Sequence, residues 1–115
     1  WMEPKQRKPP MGPRFAYDTV IHGKKTRCYD FYPAQTVTAL ALFDLMATVI
    51  GYPRDVATTP GVLPNLSTFK GAVGHYQITD QKLDPGTRFM GHLAEFMATG
   101  KLPADLADTQ PLGVV

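Results

Sequence analysis

The run AQTVTALALFDLMATVI, from Ala34 to Ile50, holds neither glycine nor proline in a chain otherwise full of both. Such a run has one regular outcome, a long helix. Pro33 suits the first helical turn, where its missing N–H costs nothing, and Gly51 followed by Pro53 supplies the stop. Leu40, Leu42, Phe43, Leu45, Met46, Val49 and Ile50 cover most of the circumference, so the helix is expected to be largely buried.

Around this helix the other elements are short. FAYDTVIHG, from Phe15 to Gly23, is β-branched and aromatic, and a strand is expected at about 17–22. GKKTRCYD, from Gly23 to Asp30, reads as a polar loop. PRDVATTPGVLPNLST, residues 53–68, has three prolines and no period, and reads as an irregular connection. Phe69 to Ile78 includes GAVGH, which suits a short buried strand. Asp84-Pro85-Gly86 opens a second helix, with Asp84 as its cap, Phe89, Met90, Leu93, Phe96 and Met97 at helical spacing and Gly100 at its end. Residues 1–14, with four prolines and Lys5, Arg7, Lys8 and Arg14, form a basic linker; 15–100 form the domain and 101–115 a partly ordered tail. The result is an α/β chain with too few strands for a complete sheet. It reads as part of a larger fold.

The formal charge of +2 is small and gathers in the leader, with no interleaved basic and aromatic stripe, so nucleic acid is not an expected partner. Cys28 is the single cysteine, which excludes an internal disulfide and suits a small buried residue. No apolar run reaches the length expected of a membrane span. Tyr29, Phe31 and Tyr32 are expected to anchor the long helix, and His92 to have a packing or surface role.

The residues that carry chemistry lie in GHYQITDQKLDPGTRF, Gly74 to Phe89. A histidine at a strand end and an aspartate at a helix start can face each other across a folded-back loop, and imidazole with carboxylate suits zinc. Each has a plainer role on its own: a hydrogen-bonded structural histidine, and a helix cap.

Val73-Gly74-His75, then Lys82-Leu83-Asp84-Pro85-Gly86, then Phe89, resembles the C-terminal zinc-site segment of the N-acetylmuramoyl-L-alanine amidases of the AmpD and type-2 amidase family, related to peptidoglycan recognition proteins. The loop is about one residue shorter than the family's usual form. FYPAQTVTALALFDLM similarly resembles the family's helix with an aromatic-x-x-Ala-Gln start. The resemblance covers roughly residues 17–98 and implies a mixed β-sheet flanked by helices, of which this chain supplies the C-terminal part. It implies Zn²⁺ held by His75 and Asp84, and Lys82 stabilising the oxyanion formed on a peptidoglycan or muropeptide amide. By position His22 falls where the family carries its catalytic glutamate; a substitute base, a third zinc ligand and an edge-strand residue without a role all remain open. The family's first zinc histidine has no counterpart here. A second chain carrying the N-terminal half is therefore expected, and the Trp-Met start suits a processed junction. The resemblance implies a cell-envelope location, periplasmic or secreted, with cytoplasmic recycling as the other setting. A non-catalytic muropeptide-recognition module is the alternative function.

Overall fold

The structure is a computed structural model that describes residues 14–109, so the leader 1–13 and residues 110–115 lie outside the described residues. Strands β1 (Ala16–Ile21) and β2 (Lys24–Tyr29) form an antiparallel hairpin with Ala16 opposite Tyr29 and Ile21 opposite Lys24. Helix α1 (Pro33–Ile50) follows, then a long irregular stretch with a 3-10 turn at His75–Gln77. Helix α2 (Thr87–Thr99) and a second 3-10 turn at Ala104–Leu106 complete the described fold.

The expected first strand is present, but the segment read as a polar loop is its partner. His22 and Gly23 make a two-residue turn with φ of 56° and 74°, the positive pair that matches the twist of a tight hairpin. This turn sets the register, and with it Cys28 is buried while Lys25 and Arg27 are exposed. A lysine-rich strand with one side solvated carries little apolar signal, which is why composition alone concealed it.

Helix α1 begins and ends where its breakers put it. Pro33 occupies the first turn, and the Gln35 Oε1 accepts from the Tyr32 backbone N–H at 3.0 Å, satisfying a donor that precedes the helix. Its burial is far less than expected. Val37, Leu40 and Ala47 enter the core, but Leu42, Leu45, Val49 and Ile50 are 54%, 57%, 72% and 62% exposed. A helix apolar all round needs neighbours on every side. Among the described residues the hairpin and α2 provide them on one side only. By length (18 residues) and mean hydropathy (1.4), α1 also meets the threshold for a membrane-crossing helix, contrary to the expectation from the sequence. Its inner face nevertheless shares one core with Ile21, Cys28, Tyr76, Phe89, Leu93 and Met97, as a core helix does.

GAVGH is not a sheet strand. It contributes one parallel bridge, Val56 to Ala72, and then turns at His75. Helix α2 starts at Thr87 with Gly86 as cap, so Asp84 is not the cap expected of it. Pro85 disfavours helical backbone at the residue before it, which leaves Asp84 in the loop. Phe89, Met90, Leu93 and Met97 then bury one side of α2. The expected tail contributes to the core through Leu106, 4% exposed. Asp105 accepts from Arg88 at 2.6 Å and contacts His92 at 3.1 Å, tying the turn back to α2.

Candidate metal and hydrolase site

The two ends of the Val-Gly-His and Asp-Pro-Gly segments meet because Gly74 has no side chain. A Cβ at that position would lie 2.8 Å from Pro85 Cδ, closer than carbon atoms approach, and a tight 3.1 Å from the Tyr76 ring. The backbone closes the contact: the Tyr76 N–H donates to the Asp84 carbonyl at 3.1 Å. Beneath it lies Gln77, fully buried. Its Oε1 accepts from the Gly74 N–H at 2.7 Å, and its Nε2 donates to the carbonyls of Ala57 at 2.8 Å and Thr59 at 3.0 Å. One side chain thus links the histidine turn to the irregular 53–63 stretch. Sequence reasoning passed over Gln77; a buried amide leaves no periodic signal.

The outcome is a contact between the two residues expected to hold metal. His75 Nδ1 lies 3.4 Å from Asp84 Oδ2, with the side chains 46% and 34% exposed. Two donors each about 2.0–2.1 Å from a tetrahedral zinc ion stand roughly 3.3–3.4 Å apart. The pair therefore has the spacing of one edge of such a site and is open to solvent. It is only part of a donor set: among the described residues no group of three or more His, Cys, Asp and Glu side chains comes together.

His22 is not an edge-strand residue but the first residue of the hairpin turn. Its backbone N–H donates to the Pro60 carbonyl at 2.8 Å, and its Nε2 contacts the Lys82 carbonyl at 3.1 Å. A carbonyl only accepts, so Nε2 carries the proton, and Nδ1 is the nitrogen left with a lone pair in the neutral ring. No hydrogen bond or ion pair joins His22 to the His75–Asp84 contact among the described residues. Lys82 is exposed, two residues before Asp84, and its ammonium has no ion pair with a carboxylate among the described residues.

Behind the site, burial pushes the Tyr76 hydroxyl up to about 12, with Tyr17 and Cys28 nearby adding to the effect. Tyr17 is raised in the same direction, again by burial first. Both phenols stay neutral at physiological pH; Tyr76 packs in the core, and the Tyr17 hydroxyl accepts from the Arg88 backbone N–H at 3.1 Å, tying β1 to the first turn of α2. His92, expected to have a packing or surface role, lies on α2 with its side chain 11% exposed and its Nε2 3.1 Å from Asp105 Oδ2. Phe31 of the aromatic cluster packs edge-on against Phe89, centroids 5.5 Å apart, anchoring the start of α1 to α2.

Comparison with protein-family models, with curated proteins and with solved structures returned no match for this chain.

Proposed function

We propose that this chain carries the C-terminal part of a zinc-dependent N-acetylmuramoyl-L-alanine amidase site, which hydrolyses the amide between the lactyl group and L-alanine in peptidoglycan. The observation that carries this reading is the 3.4 Å approach of His75 Nδ1 to Asp84 Oδ2, held by the Gly74–Pro85 contact. His75 and Asp84 would hold the ion. Zinc, when bound, supplies a Lewis acid and a water acidified toward neutral pH. Lys82 would offer its ammonium to the oxyanion that develops on the substrate carbonyl. His22 would take a proton at Nδ1, since Nε2 is engaged with Lys82. The remaining ligand would come from a second polypeptide segment, and the exposed apolar side of α1 is the kind of surface such a segment covers.

The test is metal content and turnover of protein purified without chelator. About one zinc per assembled site and release of free stem peptide from muropeptides are expected, with both lost in Asp84→Ala. Absence of zinc from the assembled protein would overturn the reading.

The incomplete donor set favours a second reading, a muropeptide-recognition module without catalysis. It requires muropeptide binding that survives chelator and produces no cleavage.

A further inference from the structure

The hairpin turn and the loop at 80–83 border an open hollow of about 700 Å³, lined by Ile21, Lys24, Lys25, Arg27, Asp80 and Gln81, with His22, Thr26 and Leu83 at its edge. That volume lies within the range of small-molecule sites. Its charge is one-sided, with three permanent cations against one carboxylate. Asp80 Oδ1 accepts from the Gln81 amide at 2.9 Å, which orients the carboxylate and leaves its single negative charge against the three cations. Arg27 approaches Asp18 at 3.5 Å, but those side chains are 62% and 50% exposed. Such a pair contributes at most about 1 kcal/mol and does not remove the guanidinium from use. Lys24 and Lys25 have no carboxylate within ion-pair distance among the described residues. The turn that displays them is fastened on two sides, by the His22 N–H to Pro60 and by His22 Nε2 to Lys82. The cations therefore project from an anchored hairpin rather than a loose loop.

We infer that this hollow binds a small anion with two or more negative charges, a phosphate or a dicarboxylate, through Lys24, Lys25 and Arg27. The site does not depend on metal at His75 and Asp84. Three exposed cations on the rim of one concavity make the local potential positive and attract a multivalent anion, most strongly at low ionic strength. The plainer explanation, that lysines merely guard an open strand edge against pairing, requires no concavity and no ligand.

The test is a titration of the ¹⁵N-labelled full chain with inorganic phosphate and, separately, with glutarate, at low ionic strength, with and without the uncharged chelator 1,10-phenanthroline. Saturable shifts at the amides of Lys24 to Arg27 and Gln81 are expected. The Lys24→Gln, Lys25→Gln double variant should keep the parent's amide spectrum elsewhere and bind about tenfold more weakly. The tighter probe tells a phosphate ester from an acidic peptide as the source of the charge. Shifts that fail to saturate, that spread equally to Lys70 and Lys101, or that survive the double substitution unchanged would overturn the inference. So would binding that disappears when the uncharged chelator is added, because the anion would then be sitting on metal. The amidase reading fails on zinc content instead, so the two failures are distinguishable.

Discussion

His22 and Lys82, sixty positions apart in the chain, are joined by one contact: the His22 Nε2 meets the Lys82 carbonyl at 3.1 Å. This anchors the hairpin turn to the loop that leads into Asp84. It also fixes the histidine tautomer and leaves Nδ1 as the basic nitrogen. His22→Ala is expected to retain zinc in the assembled protein and to lower kcat by about 10²–10⁴-fold, the range of a lost general base. Metal analysis and kinetics on the same preparation check this. Loss of zinc together with activity would instead make His22 a ligand.

Gly74 leaves no room for a methyl group against Pro85. Gly74→Ala should destabilise the fold by roughly 1–3 kcal/mol, the cost of overpacking a closed contact. It should also part His75 from Asp84 and weaken zinc binding. Urea unfolding and a zinc competition titration read the two effects separately; an unchanged zinc affinity would show that the glycine does not position the pair.

Gln77 satisfies three backbone groups from inside the protein. Gln77→Leu has similar bulk but leaves the Gly74 N–H and the Ala57 and Thr59 carbonyls without that partner. Each buried group so abandoned costs about 1–3 kcal/mol, so a total loss of at least 2 kcal/mol is expected in urea unfolding. Hydrogen exchange should quicken at Gly74.

Tyr76 is 1% exposed and its hydroxyl is pushed up to about 12 from an ordinary value of 10.0. Because the folded state holds the proton more tightly, its stabilising effect is complete below about pH 10 and is lost as pH rises toward 12. A decline of roughly 2–3 kcal/mol across that window is expected. Tyr76→Phe should flatten that part of the curve, measured by urea unfolding at several pH values.

Val49 is 72% exposed on the apolar outer side of α1. Val49→Lys should change the stability of the isolated chain by no more than about 0.5 kcal/mol, as for other surface sites. If a second segment covers this face, as the proposed function requires, the same substitution should weaken its association. Calorimetric unfolding of the chain and co-purification of the assembly distinguish these outcomes.

The local part of this fold was legible because local rules govern it. Pro33, Gly51 and Gly100 delimit the helices through backbone chemistry that no neighbour needs to supply, and the spacing of Phe89, Leu93 and Met97 already marks the buried side of α2. The pairing of His75 with Asp84 was anticipated from the loop between them, and the structure brings those side chains together. Tertiary packing decided the rest. Whether KKTRCY is loop or strand depends on β1 lying beside it, and whether GAVGH extends depends on finding more than the one bridge to Val56. Which side of α1 is covered depends on what packs there, and a helix apolar all round does not declare it. Gln77 and the His22 tautomer belong to the same class: a hydrogen-bond partner distant in sequence leaves no trace in composition or period, and only the folded chain brings it within reach.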